Sequence, residues 1–548
     1  MTVCKHLIRI SFQRITRNFH LSSYYCQNNF YITTPIFYIN GPPHIGHLYT
    51  VLLADVISRW RRTSGRNERL ETFFSTGTDE HGSKIQKAAA EMNLTPAQLT
   101  FQNSEIFRNF FNKSNISYTA FMRTSLEEHK IHVRQFWTTL VDKGYIFRDK
   151  YKGWYSFHDE TFLSDRDIKK TINGERISME SGHKVEWIEE EGYMFKLSCF
   201  KNEIRNWLIS SDVIVPTKFA QMVLKMIDEG VCNQDLSISR PSSKVNWAIE
   251  VPDDSDHTIY VWVDALINYI HGGPWPANLQ IVGKDILKFH AIYWPALLLA
   301  AGKPLPNEIL CHGHWTVNGR KMSKSLDNSV CPVALMEKYP IDGVRFYLMK
   351  EGVFDKDNDF CEKRLIESIN LLANVYGNTF QRVVNPNSRH SPTKFPSFFS
   401  TTVKELSGEY LSFFHSISKL PQLADQYYSS YQPYKVIDAT HSVLTETNQF
   451  LQHTRFWKFL DQPHYCSTIF HIVLESLRVC SLCISPIVPL LTSDFFERVS
   501  IYPEETVFNV KDFQPGFFLD QNPAWVGRPI RIVEEPLIKR IEISTFKV

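Results

Sequence analysis

A chain of 548 residues and 63.9 kDa is too long for one hydrophobic core, which stops growing near ~250–300 residues, so two or three domains are expected. With 43% hydrophobic and 22% charged residues, long disorder is excluded; a net charge of only +2 excludes a general positive field as the means of holding nucleic acid. Ten scattered cysteines exclude a disulfide scaffold, and the longest apolar run read from the sequence, near Ala291–Ala301, is broken by Pro295 and falls short of the ~20 residues of a membrane span. No membrane segment is expected.

Residues 1–30 carry Lys5, Arg9, Arg14 and Arg17, several hydroxyls and no acid; the first acid is Asp55. This is the composition of a mitochondrial or chloroplast presequence, and the continuous apolar core of a secretory signal is missing. Phe30–Tyr38 is aromatic and β-branched and ends at Asn40-Gly41-Pro42-Pro43, which predicts a buried strand stopped by a turn. From His47 to Trp60, Leu48, Val51, Leu52, Val56 and Ile57 recur at helical spacing. The turn His44-Ile45-Gly46-His47 therefore sits at a helix amino terminus, where unsatisfied N–H groups and the helix dipole favour phosphate.

Glu71–Thr78 predicts a second strand running into Asp79-Glu80-His81-Gly82, and Leu94–Leu99 with Pro96 starts another helix. Alternating strands and helices imply a parallel α/β sheet with ligands at the strands' carboxyl ends. Residues 146–245 lose that rhythm: short pieces such as Gly153–Phe157 and Val185–Ile188 alternate with charged turns, as in an inserted module. The pattern resumes in strands Thr258–Val263 and Gln280–Val282, the latter opening into Gly283-Lys284-Asp285. After about residue 365, apolar periodicity in Leu365–Val384, Val436–Leu460 and Ile469–Leu491 predicts a separate helical domain.

His44-Ile45-Gly46-His47 and Lys321-Met322-Ser323-Lys324-Ser325 together resemble the two signatures of class I aminoacyl-tRNA synthetases, although either alone is weak. Four further segments resemble the methionyl branch: Pro35–Tyr38, Thr76–Gly82, Trp262–Tyr269 and Gly283–His290. The resemblance implies activation of methionine by ATP with Mg²⁺, then transfer to the terminal adenosine of tRNA(Met). A substrate carboxylate is already ionised at neutral pH, so the chemistry is positioning and charge stabilisation rather than general-base catalysis. By resemblance, His44, His47, Lys321 and Lys324 are catalytic, and ATP is held by His44, Gly46, His47, Gly283, Asp285 and the loop Lys321, Met322, Ser323, Lys324 and Ser325. Ile36, Tyr38, Trp262, Ala265, Tyr269, Ile286, Phe289 and His290 would line the methionine side chain, and Asp79 would hold its ammonium. An unbranched thioether suits such an apolar, aromatic slot, with Tyr38 or His290 as a polar donor to sulfur. Asn378, Arg382 and Trp457 resemble the anticodon contacts of the family, and suit stacking and edge recognition of single-stranded bases.

The implied fold is a Rossmann-type α/β parallel-sheet catalytic domain with an inserted α+β connective module, followed by an all-α helical-bundle anticodon-binding domain. Its expected divisions are a presequence at 1–28, catalytic halves at 29–145 and 246–318, the insertion at 146–245, the lysine loop and stem-contact region at 319–368, the helical domain at 369–530 and a tail at 531–548. Many relatives carry Cys-x-x-Cys zinc knuckles in the insertion, but here it holds only Cys199 and Cys232, so no zinc is expected; Cys480 and Cys483 read as buried small hydrophobes. The leucyl, isoleucyl and valyl synthetases share both signatures but carry a large editing insertion, for which residues 146–245 are too few. A catalytically silent RNA-binding relative is opposed by the intact histidines and lysines. A monomer in the mitochondrial matrix is the remaining expectation.

Overall fold

A computed structural model describes residues 29–64, 71–156, 161–163, 168–171, 173–179, 182–322, 328–511 and 513–542. The expected presequence, and Ser323, Lys324 and Ser325 of the lysine loop, lie outside the described residues. The chain divides into two compact units. One takes the chain up to Pro43, Phe73–Asn112 and Tyr118–Gly313; the other takes His44–Thr72, Lys113–Ser117 and the chain from His314 onward.

The first unit is built on a six-stranded sheet: β1 (Asn29–Tyr38), β2 (Glu71–Asp79), β3 (Ala120–Arg123), β4 (Ile214–Val215), β5 (Leu279–Gly283) and β6 (Ile309–His312), in the spatial order β3-β2-β1-β5-β6-β4. β2–β3, β1–β5, β5–β6 and β6–β4 pair in parallel. β1 is buried continuously from Tyr31 to Phe37, as a central parallel strand covered on both faces must be. Its polar members are satisfied across the sheet: Thr34 donates to Thr76 at 2.7 Å, and the Tyr31 and Ser75 hydroxyls bond at 3.0 Å. Strand order reverses between β1 and β5, so a crevice is expected beyond their carboxyl ends, at Tyr38 and Gly283.

Between β1 and β2 the chain forms α1 (Ile45–Thr63), a member of the second unit. In the first unit a short helix, Ser83–Glu91, precedes α2 (Pro96–Lys113), and α3 (Glu127–Asp142) follows β3. The region read as an α+β insertion pairs Ile146–Ser156 with Glu186–Phe195 antiparallel, and its helices, whose positions the sequence did not give, are Lys201–Ser210 and Thr217–Asp228. β4 lies within this region yet joins the parallel sheet. Thr258–Val263, expected as one strand, is divided: Asp254–Ile259 belongs to a separate three-stranded antiparallel sheet, and α4 (Val261–His271) begins two residues later. Every residue from 258 to 263 is β-branched or aromatic, so local propensity could not place that boundary; α4 is buried on nearly every side, from Val261 and Val263 through Tyr269, so no amphipathic period marked its start either. α5 (Trp294–Ala301) accounts for the apolar run around Pro295, which stands in its first turn.

In the second unit, α6 (Ile341–Glu351), α7 (Glu362–Leu372) and α8 (Asn378–Val383) lead into α9 (Ser400–Ser429), α10 (Pro433–His453), α11 (Pro463–Ile484) and α12 (Pro489–Arg498). α9 went unforeseen, and Ile469–Leu491 spans two helices broken around Pro486. α11 corrects the reading of apolar runs: its 22 residues are long and apolar enough to cross a membrane, but 94% of the apolar stretch is buried inside the fold, as in a core helix. Its charges are paired internally, Arg478 donating to both oxygens of Glu475 at 2.9 and 2.6 Å.

α1 is anchored by one buried ion pair. Arg345 on α6, fully buried, donates to Asp55 at 2.7 Å and to the carbonyls of Ser114, Asn115, Pro486 and Ile487. Asp55 also accepts from Arg59 and from the backbone and hydroxyl of Ser117. One guanidinium thus ties α1 to the segments at 114–117 and 486–487.

Candidate active site

The carboxyl ends of β1 and β2 place Ile36, Tyr38 and Asp79, and α4 places Trp262, Ala265 and Tyr269. The turn after β5 contributes Ile286, followed by Phe289 and His290. Trp262 stacks on Phe289, with ring centroids 3.7 Å apart and planes 9° apart, and lies edge-on to His290. His290 Nδ1 is 2.8 Å from the Ile286 carbonyl, and Nε2 is 2.8 Å from the Tyr269 hydroxyl. Burial pushes His290 down to about 4, so its ring is neutral at pH 7. A carbonyl only accepts, so Nδ1 carries the proton and Nε2 accepts from Tyr269. His290 therefore has no N–H left to donate elsewhere, and its two bonds tie Tyr269 to the Ile286 carbonyl.

Gly283 closes β5, and a Cβ there would stand 2.8 Å from Asp285 Oδ1. Glycine at 283 thus lets the exposed Asp285 carboxylate fold back against the strand end.

Around the turn Asp79–Gly82 lies a network that sequence reading missed. Glu80 is fully buried, held by Arg123 at 2.8 and 3.1 Å and by the hydroxyls of Thr78 and Ser125. The next residue, His81, meets Asp264 Oδ2 through Nδ1 at 2.6 Å, and His129 meets Oδ1 through Nε2 at 2.6 Å. His129 Nδ1 lies 2.8 Å from His271 Nε2, and His132 stacks on His271. Burial would raise Asp264, yet the two histidines hold it at about 2, and burial with its histidine neighbours pushes His271 down to about 3. These residues come from separate segments, and no local pattern marks them as a set.

In the second unit, His44 is the N-cap of α1. Its Nδ1 accepts from Gly46 N at 3.1 Å, and His47 Nδ1 accepts from His44 N at 3.2 Å, with the two rings stacked at 3.6 Å. Both Nδ1 atoms being acceptors, each neutral ring carries its proton on Nε2, the tautomer suited to donate to an anion. A Cβ at Gly46 would press on the His44 ring at 3.0 Å, with the Met322 methyl 4.0 Å away. Lys321 ends a hairpin in which Thr316 pairs with Lys321 and Val317 with Arg320, turned by Asn318 and Gly319 at positive φ. Asn328 donates to the Lys321 carbonyl at 3.2 Å, bracketing the loop, and the Val330 carbonyl accepts from Ile45 N at 3.1 Å. The return of the lysine loop is thereby tied to the amino terminus of the histidine helix.

Asn378 is exposed on α8, and Arg382 on the same helix reaches Asn448 and Gln452 at 3.0 and 2.9 Å. Trp457 lies in a short turn after α10, which ends at His453 rather than continuing through Leu460 as its periodicity implied, and is 43% exposed. Cys480 and Cys483 are fully buried in α11; Cys199 is exposed and Cys232 buried. Among the described residues no group of three or more His, Cys, Asp or Glu could hold a metal ion.

Residues 30–384 match the family of class I tRNA synthetases (M). The mitochondrial methionine–tRNA ligase of Homo sapiens is 39% identical over 90% of this chain and 87% of its own length, and the methionine–tRNA ligase of Rickettsia bellii is 36% identical over 88% and 94%. The solved structure of Mycobacterium tuberculosis methionyl-tRNA synthetase in complex with methionyl-adenylate superposes with a TM-score of 0.84 at 30% identity, covering 94% of this chain and 100% of that one.

Proposed function

The chain belongs to the class I tRNA synthetases of the methionyl type, and from that membership we propose how its residues divide the reaction. Its activity is that of a methionine–tRNA ligase: methionine and ATP give methionyl-adenylate and pyrophosphate, and the methionyl group then passes to the 3′ end of tRNA(Met). The Nε2–H tautomers imposed on His44 and His47 carry this reading, since they make two donors for phosphate oxygens out of rings that could equally have been acceptors. Gly46 admits adenine close to backbone, and Gly283 and Asp285 serve the ATP ribose region. Lys321, Met322, Ser323, Lys324 and Ser325 hold the polyphosphate, the two lysines neutralising charge that builds on the leaving pyrophosphate. Mg²⁺ enters with ATP as part of the substrate.

Asp79 holds the methionine ammonium, and Ile36, Tyr38, Trp262, Ala265, Tyr269, Ile286, Phe289 and His290 enclose the side chain. Asn378, Arg382 and the exposed Trp457 read the anticodon from the helical domain, and the antiparallel region at 146–245 is a connective module without zinc. We assign the chain to the mitochondrial matrix as a monomer; its mitochondrial relatives and the basic, acid-free amino terminus support the compartment. ATP–pyrophosphate exchange tests the assignment: it should depend on methionine and not on leucine, isoleucine or valine. Exchange with one of those three, or none with methionine, would sink it. Trp457→Ala should raise KM for tRNA in charging while leaving methionine-dependent exchange at its normal rate; equal rates in both assays would remove Trp457 from the anticodon site.

A further inference from the structure

The buried histidine–aspartate chain lies beside the proposed methionine site without touching the reaction. Asp264 precedes Ala265 on α4, the helix that also carries Trp262 and Tyr269, while His81 lies two residues after Asp79. Asp264, His81 and His129 are at most 2% exposed. A carboxylate so buried must be fully paired, and here each oxygen accepts one short hydrogen bond from a ring on a different element. The turn is fixed from its other side as well: the Trp247 indole donates to the Glu80 carbonyl at 2.5 Å, and Gly82 N donates to the Trp247 carbonyl at 2.9 Å. Gly82, at φ 113°, adopts a backbone conformation that L side chains rarely reach.

We propose that the chain His81–Asp264–His129 is a positioning device for methionine, clamping the turn that carries Asp79 to α4 and so fixing the separation between the ammonium and side-chain subsites. This rests on the assignment of Asp79, Trp262, Ala265 and Tyr269 to the methionine site. His129 braces Asp264 from α3, and His81 transmits the constraint to the turn. Both are positioning residues, not catalytic ones. Because the clamp acts on a contact made equally in ground and transition states, its loss weakens methionine binding without slowing chemistry. ATP, held elsewhere, is unaffected.

Steady-state exchange on the full chain tests this with two pairs of variants, rates being normalised to active sites by adenylate burst. Gln places a donor near the position of imidazole Nε2 and Asn near that of Nδ1, so His129→Gln and His81→Asn preserve the bonds that His129→Leu and His81→Leu remove. The leucine variants should raise KM for methionine roughly tenfold, the loss of one hydrogen bond to a charged group, with kcat and KM for ATP within about twofold. The Gln and Asn variants should recover most of that loss. If His129→Leu fails to fold, the His81 pair reads the same chain from its other end. Unchanged methionine KM in the leucine variants, a parallel rise in both KM values, or no recovery by Gln and Asn would overturn the proposal. Asp79→Asn separates this outcome from failure of the underlying assignment: if it leaves methionine KM unchanged, the methionine site itself is misassigned.

Discussion

On the methionine site proposed above, discrimination at the side-chain subsite falls to Tyr38. His290 is held by Ile286 and Tyr269, and we propose Tyr38, at the carboxyl end of β1, as the donor that recognises sulfur. Tyr38→Phe should lower the preference for methionine over norleucine, its sulfur-free isostere, by roughly threefold to tenfold, the worth of about one neutral hydrogen bond. The ratio of kcat/KM values in exchange measures it, and an unchanged ratio would leave recognition to the apolar walls alone. At this scale the sequence is legible where chemistry needs adjacent residues: the histidine turn can be read because its two rings and its glycine act within a single helical turn. It is silent on His129, whose partner Asp264 is distant in the chain, and on the tautomer of His290, which a carbonyl four residues back decides.

α1 carries the histidine turn at one end and depends on Arg345 for its place within its unit. Arg345→Met leaves Asp55 buried with one cationic partner fewer and four carbonyls without their donor. Chemical denaturation should register a loss of about 3–5 kcal/mol, the usual cost of breaking a buried pair by removing one member. A loss below about 1 kcal/mol would show that apolar packing of α1 suffices. Elements with strong period and clear stops, such as β1, α1 and β5, can be read from the sequence. Those set by tertiary context cannot: α4 is buried on nearly every side, so no period divides 258–263 between a strand and a helix, and two-residue β4 acquires its identity only beside β6.

For the whole molecule, burial of neutral histidines sets an acid limit on stability. His290 and His271 are pushed down to about 4 and 3, from an ordinary 6.5. Between those values the unfolded chain binds protons that the folded chain refuses, so stability rises with pH there and is lost on acidification. Asp342 acts in the opposite sense: burial raises it to about 6, so it favours the folded state at low pH. Two histidines outweigh one carboxyl, and Tm should fall as pH drops from 6.5 to 4; His271→Gln should flatten that slope, and an unaltered slope would exclude its contribution. Domain-scale organisation was legible as a change of rhythm, from alternating strands and helices to long helical periodicity, although α11 hid its length from a search for unbroken apolar runs. That helix has a consequence before folding is complete. On the matrix location proposed above, the chain crosses two bilayers unfolded, and residues 463–484 then form a segment of spanning length. Arg478, paired with Glu475 in the native bundle, opposes insertion at mid-bilayer by about 2.5–3.5 kcal/mol on translocation scales, and the Glu475 carboxylate opposes it further. On that route the pair that serves the core of the finished protein also opposes arrest of the travelling chain as a membrane anchor.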